Sequence, residues 1–75
     1  MNLKNFLECV LCDQKITIKN VNTERNIVEN TRNDEIKYSS IVDFLNSPVL
    51  TIEATIVDNV PILYVEVDYD ILESI

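Results

Sequence analysis

The sequence contains no glycine, no histidine and no tryptophan, and it has a single alanine. Without glycine, a Gly-rich phosphate loop or dinucleotide fingerprint is excluded. Turns that need a positive φ must therefore use Asn or Asp. Without histidine, the commonest acid–base group and metal ligand is missing. Isoleucine (ten) and asparagine (nine) are abundant instead, a bias that low-GC coding explains without any function.

Basic residues are also absent from the second half of the chain. From Tyr38 to Ile75 there is no Lys or Arg, whereas the six basic and six acidic residues before Tyr38 cancel, so the net charge of −7 comes from the second half. Its seven acids are Asp43, Glu53, Asp58, Glu66, Asp68, Asp70 and Glu73. A uniformly negative electrostatic field of this kind repels nucleic acid and anionic membranes and attracts basic surfaces. We expect a basic protein as the partner, with no direct binding to nucleic acid or membrane.

The length of 75 residues predicts a single domain, residues 1–75, with a thin core. An apolar fraction of 47% is typical of a folded domain. No apolar run is long enough to span a membrane. Lys4 and Glu8 interrupt the first apolar stretch, which argues against a signal peptide. We therefore expect a cytoplasmic protein.

Helical periodicity predicts an N-terminal helix that Asn2 caps and that ends at Cys12 or Asp13. Its apolar stripe consists of Leu3, Phe6, Leu7, Val10 and Leu11. A second, short helix is predicted over residues 41–45, with Ser39 or Ser40 as its cap and Pro48 beyond its end.

Alternating apolar residues predict strands at Lys15–Asn20, from Ile27, at Val49–Val57 and at Ile62–Asp68, with a turn at residues 58–59. Residues 30–35 are predicted to form a polar loop, and residues 69–75 a helical turn or a strand extension. Leu50, Ile52, Ala54 and Ile56 are predicted to share one face of their strand, and Leu63, Val65 and Val67 are predicted to point inward. The order helix, hairpin, helix, hairpin predicts an α+β fold, in which about four antiparallel strands carry both helices on one face.

Cys9 and Cys12 form a CxxC pair near the predicted end of the first helix. Redox enzymes place this motif at a helix N-terminus, where the helix dipole favours the thiolate. Zinc needs four ligands, and one chain offers two thiols and no histidine. We expect incidental, exposed, reduced thiols; a dimer contact, a metal site shared across a dimer and redox chemistry are the alternatives. No metal or cofactor is predicted.

Glu66, Asp68 and Asp70 would share one face of an extended strand with Tyr64, and Glu53 would lie beside them. One interpretation is a solvated face that prevents aggregation at a sheet edge. A second is a binding surface for a basic partner, in which the row of carboxylates imitates a phosphate backbone, with Asp43 and Asp58 nearby. A third is a divalent metal site, but Ile71 occupies the position at which a calcium loop requires glycine.

No catalytic residues are predicted. A chain of this length has little room for a pocket that encloses a sugar and perturbs one of two carboxylates. We therefore expect a protein that is not an enzyme.

Several short segments carry a resemblance to a broader group of proteins: F-L at Phe6, I-T-I at Ile16, D-F-L-N at Asp43, V-L-T-I at Val49 and L-Y-V-E-V at Leu63. The pattern resembles small acidic proteins encoded by phages and prophages of low-GC bacteria. This resemblance implies an accessory role in a bacterial host cell, such as the inhibition of host defence by anti-CRISPR proteins, several of which are DNA mimics. No site residue is carried over from it.

The resulting hypothesis is a non-enzymatic inhibitor that docks onto a basic, nucleic-acid-binding host protein. Its predicted binding residues are Glu53, Tyr64, Glu66, Asp68 and Asp70. The alternative is a homo-oligomeric structural or ligand-sequestering protein, since a thin core gains stability from self-association and the last strand offers an edge for pairing.

Overall fold

A computed structural model of the chain describes residues 1–70. Its elements are the helix α1 (Leu3–Cys9) and the strands β1 (Lys15–Asn20), β2 (Arg25–Arg32), β3 (Val49–Val57) and β4 (Val60–Val67). Three 3-10 turns lie between β2 and β3, at Asn33–Glu35, Tyr38–Ser40 and Val42–Phe44. These elements form one small α+β unit. Tyr69 and Asp70 belong to no helix or strand, and the rest of the predicted tail lies outside the described residues.

The α1 helix begins as predicted, because the side chain of Asn2 accepts a hydrogen bond from the Asn5 N–H at 2.8 Å. It ends at Cys9, earlier than predicted, because Val10 has an extended backbone (φ −90°, ψ 141°). Leu11 consequently lies outside the apolar stripe and is exposed. The CxxC pair follows the helix C-terminus, and both thiols are exposed.

The predicted middle helix is wrong in detail, because residues 38–44 form two separate 3-10 turns. Ile41 lies between them with φ −122° and ψ 18°, outside the helical region. The Ser40 hydroxyl donates to the Lys37 carbonyl at 2.6 Å and does not cap a longer helix. So short a segment, ended by Ser47 and Pro48, gains too few hydrogen bonds to nucleate an α-helix. Ile41 nevertheless packs into the core.

Both hairpins form as predicted, but the sheet is mixed, in the order β2-β1-β4-β3. Strands β1 and β4 are parallel neighbours, with Ile16 beside Leu63 and Ile18 beside Val65. The prediction of a wholly antiparallel sheet is therefore wrong. The physical reason is burial: the two central positions go to β1 and β4, whose alternate residues are apolar, while the polar β2 lies at an edge.

Strand β2 extends through residues 30–32, which were predicted to be loop. The ladder accommodates this polar stretch with register shifts against β1. At one of them Asn30 has φ 47°, and its N–H donates to Thr17 Oγ1 at 2.9 Å. A β-bulge thus keeps the strand paired where the sequence pattern suggested a break.

The core lies between α1 and one face of the sheet. Leu3, Phe6 and Leu7 pack on Ile16, Ile18, Val65 and Val67. Leu63 points inward as predicted and is partly buried. Ile52 and Ala54 share one face of β3 as predicted, and it is the core face of the sheet, because they pair with Val65 and Leu63. The four residues Leu50, Ile52, Ala54 and Ile56 are nevertheless all exposed. Strand β3 lies at the sheet edge, beyond the area that α1 covers.

Residues with positive φ are Glu24, Asn30, Asp58 and Asn59. The expectation that Asn or Asp replaces glycine at such positions is confirmed at three of these four. Asp58 (φ 51°) and Asn59 (φ 65°) join β3 to β4, and positive φ at both central residues is the mark of a type I′ turn.

This turn gives a first prediction. Asn59→Val should lower the free energy of unfolding by about 1–2 kcal/mol, because a β-branched residue is disfavoured at positive φ. Asn59→Gly should be neutral or stabilising, since glycine adopts this conformation freely. Urea unfolding of both variants measures the effect; equal stability of the two would contradict the turn assignment.

No helix within residues 1–70 has the length and apolar character to cross a bilayer.

Candidate partner-binding surface

The sheet face opposite α1 carries three of the five predicted binding residues. Alternate residues of a strand point to opposite faces, so the neighbours of buried Val65 point away from the helix. These are Tyr64 and Glu66, and Glu53 pairs with Tyr64 across the β3–β4 ladder. The fold therefore brings Glu53, Tyr64 and Glu66 together on what we call the open face.

Tyr64 lies at the centre of the open face, between Thr17 on β1 and Glu53 on β3. Its hydroxyl donates to Glu66 Oε2 at 3.5 Å, and both side chains are half-buried. Beside it Ile62, only 4% exposed, lies in a hollow of about 250 Å³ that Thr17, Thr55 and Tyr64 help to line. Because Ile62 itself is almost fully covered, the half-buried Tyr64 ring supplies the apolar contact area at the centre of this face.

The open face is not purely acidic. Parallel pairing of β1 and β4 places Lys19 beside Glu66 and Lys15 beside Ile62. No ion pair within 4 Å joins Lys19 to Glu66. The charges that are segregated along the chain are thus partly mixed in space, because the fold inserts a lysine-bearing strand beside the acidic one.

Asp68 and Asp70 do not belong to this strand face, because β4 ends at Val67. The predicted row of three carboxylates on one extended strand is therefore wrong beyond Glu66. The Asp68 N–H donates to the Pro48 carbonyl at 3.1 Å, and its carboxylate accepts a hydrogen bond from Asn22 Nδ2. Asp68 and Asp70 are both exposed.

Two asparagines hold the segment that carries these acids. Asn20, 2% exposed, donates through Nδ2 to the Tyr69 carbonyl at 3.1 Å and accepts from the Tyr69 N–H at 3.2 Å. Asn22 Nδ2 donates to the same carbonyl at 3.0 Å. The Asn20 side chain thus replaces a backbone partner for the chain after β4. This role could not be predicted from the sequence, because a lone polar residue at the end of a strand carries no periodic signal.

Asp43, Asp68 and Asp70 line one shallow hollow of about 250 Å³, which we call the acidic hollow. Its other lining residues are Asn46, Ser47, Pro48 and Tyr69. The rings of Phe44 and Tyr69 meet there with centroids 4.7 Å apart and a tilt of 55°, so they hold the 3-10 segment against the chain after β4. Carboxylates that are far apart in sequence consequently share one site, and none of the residues that line it is basic.

Within residues 1–70 no group of three or more His, Cys, Asp or Glu side chains is arranged to hold a metal ion.

Comparison of the chain with models of protein families, with curated proteins and with solved structures found no match. The surface chemistry of the fold is therefore the basis for a functional assignment.

Proposed function

We propose that the protein is a non-enzymatic binding protein that docks onto a basic surface of a partner protein, such as the nucleic-acid-binding surface of an enzyme. The observation that carries this proposal is the acidic hollow. Three exposed carboxylates from two chain segments meet there without a basic residue in the lining. Removing these three carboxylates from water is favourable only when they contact a complementary positive surface.

The geometry of the hollow supports a broad contact. It is shallow and open to solvent, so a lysine or arginine side chain of a partner can approach its carboxylates. Arginine is the best match, since its planar guanidinium donates two parallel hydrogen bonds to a carboxylate.

The open face supplies the second part of the proposed surface. Tyr64 combines apolar area with a polar hydroxyl, a combination enriched at the centres of protein interfaces. Glu53 and Glu66 flank it. Because Lys19 adjoins Glu66, we expect the open face to contribute less electrostatic attraction than the acidic hollow does.

The resemblance to phage and prophage proteins adds the biological part of the proposal. It implies that the partner is a host protein in the bacterial cytoplasm and that docking inhibits it by occupying the surface that would bind nucleic acid. This inhibitor role is a hypothesis that the acidic hollow makes chemically reasonable.

The test compares two variants with the same change in net charge. Asp43→Lys with Asp68→Asn alters the acidic hollow and raises the net charge by 3, from −7 to −4. Glu8→Lys with Asp13→Asn makes the same change at exposed sites elsewhere. Tagged proteins are used to capture partners from bacterial lysate, with stepwise salt elution and competition by duplex DNA.

We expect the unmodified protein to capture a basic protein that salt and DNA both release, because screening weakens exposed charge pairs. The hollow variant should lose this capture, and the control variant should keep it. A third variant, Glu53→Lys with Glu66→Gln, has the same net charge and should show a smaller loss. Equal loss in all three variants would mean that net charge alone drives capture, and the proposed surface would then be wrong.

A further inference from the structure

Strand β3 is an edge strand with little protection against pairing. It is nine residues long, contains no lysine, arginine or proline, and has one charged residue, Glu53, and one register irregularity, near its start at Val49. Its apolar side chains are open to solvent, with Leu50 54%, Ile52 46% and Ile56 71% exposed. A long, exposed apolar edge is a template for another strand.

The opposite edge of the same sheet looks different. Strand β2 carries Arg25, Glu29 and Arg32, and its pairing with β1 is interrupted by two register shifts. Charges and bulges of this kind discourage edge-to-edge pairing. The β2 edge of the sheet is therefore better protected than the β3 edge, whose segment from Ile52 to Val57 pairs regularly and carries one charge.

The type I′ turn determines which backbone groups of β3 face outward. In a two-residue hairpin the flanking residues, Val57 and Val60, exchange hydrogen bonds, and such pairs alternate along the ladder. The intervening residues Ile52, Ala54 and Ile56 therefore direct their N–H and C=O groups away from β4. Pro61, which has no N–H, lies opposite Ile56, as this alternation allows.

We propose that a second copy of this chain pairs with β3 in antiparallel fashion, about a two-fold axis that passes beside Ala54. In this register Ala54 faces Ala54 of the second copy, and Ile52 of each copy faces Ile56 of the other. All three outward-facing residues then exchange backbone hydrogen bonds with the second copy. The product is a closed dimer with a continuous eight-stranded sheet, whose other edges are the protected β2 strands.

The residues around Ala54 are self-complementary, which favours a second copy over an unrelated strand. The segment Ile52–Ile56 has the same apolar pattern in both directions, with Ala54 at its centre. In the proposed register Glu53 faces Thr55, whose hydroxyl can donate to the carboxylate. A register centred on Glu53 would instead place two carboxylates directly opposite each other, which is unfavourable. A register centred on Ile52 would bring the irregular pairing between Val49 and Thr51 into the interface.

The first test is the molar mass in solution, measured by light scattering and sedimentation from low micromolar to near-millimolar protein. We expect a concentration-dependent dimer. Ile56→Lys should weaken it by about tenfold or more, because a lysine on an edge strand opposes pairing. Asn26→Lys adds the same charge at an exposed residue of β2, at the opposite edge of the sheet, and it should leave the dimer intact. Circular dichroism checks that both variants are folded.

The second test examines the register by disulfide formation, in a background with Cys9→Ser and Cys12→Ser. Directly opposed residues have Cα atoms about 5.5 Å apart, within the range that a disulfide spans. Ala54→Cys should therefore oxidise to a covalent dimer much faster than Glu53→Cys. A monomer at every concentration, a dimer indifferent to Ile56→Lys, or faster cross-linking of Glu53→Cys would each overturn the proposal. The variants of the acidic hollow leave β3 unchanged, so this proposal and the proposed function can fail independently.

Discussion

Replacing Asn33 with aspartate should destabilise the fold more than any other exchange of one polar side chain for another in the described residues. Asn33 is 8% exposed, and its Nδ2 donates to the carbonyls of Leu7 and Val10, at 3.0 Å in each case. Asn33→Asp removes both donors and places a buried negative charge against two carbonyl oxygens. We expect a loss of about 3 kcal/mol or more in the free energy of unfolding, because unpaired buried charge is costlier than an unmade neutral hydrogen bond.

The position of Asn33 explains why the fold depends on it. Val10 has an extended backbone, so the last carbonyls of α1 need partners from elsewhere. Asn33 supplies them from a segment more than twenty residues away, while its own N–H donates to the Gln14 carbonyl at 2.9 Å. The Tyr38 hydroxyl donates to its Oδ1 at 3.4 Å. This side chain thus joins the C-terminus of α1 to the first 3-10 turn.

Thermal and urea unfolding measure the effect. A loss of about 3 kcal/mol corresponds to a fall in Tm of roughly 12–24 °C for a domain of this size. Asn33→Ala removes the donors without adding charge, so its free energy of unfolding should lie between those of the unmodified protein and Asn33→Asp. Asn26→Asp has the same change in charge at an exposed position and should stay within about 0.5 kcal/mol. If the two aspartate variants were equally stable, the hydrogen bonds of Asn33 would not have the proposed role.

Local pattern was enough to predict the elements but not their arrangement. The alternation in Lys15–Asn20 and Val49–Val57 gave strand bounds that agree with the structure, and the cap at Asn2 is confirmed. These features depend on neighbours in sequence. The parallel pairing of β1 with β4 depends on which strands compete for the centre of the sheet, and no local pattern encodes that competition.

The same limit applies to the candidate site. The sequence indicated an acidic second half and correctly placed Tyr64 beside Glu66 on one strand face. It did not indicate that Lys19 lies beside Glu66. Nor did it show that Asp68 shares the acidic hollow with Asp43. The first outcome follows from the parallel pairing of β1 with β4, and the second from contacts between the chain after β4 and residues 43–48, both of which join segments far apart in sequence.

Two isoleucines on the same sheet should differ sharply in what they contribute to stability. Ile18 is 0% exposed, pairs with Val28 on one side and Val65 on the other, and belongs to the core under α1. Ile18→Ala should lower the free energy of unfolding by about 2–5 kcal/mol, from lost burial and the cavity left behind. Since a domain of 75 residues has a total stability of about 4–11 kcal/mol, this one substitution should remove a large share of it.

Ile56→Ala is the matched control, because Ile56 is 71% exposed at the sheet edge. In dilute protein we expect it to change stability by no more than about 0.5 kcal/mol, as for most surface substitutions. Urea unfolding at several protein concentrations separates two effects of this residue. The cost of Ile18→Ala should persist in the most dilute samples, whereas any cost of Ile56→Ala should grow with concentration, because mass action couples a dimer to stability. The contrary result is that Ile56→Ala lowers the free energy of unfolding as much as Ile18→Ala does, at every protein concentration. That result would show that β3 is packed within the monomer, and the assignment of β3 as an open edge would then be wrong.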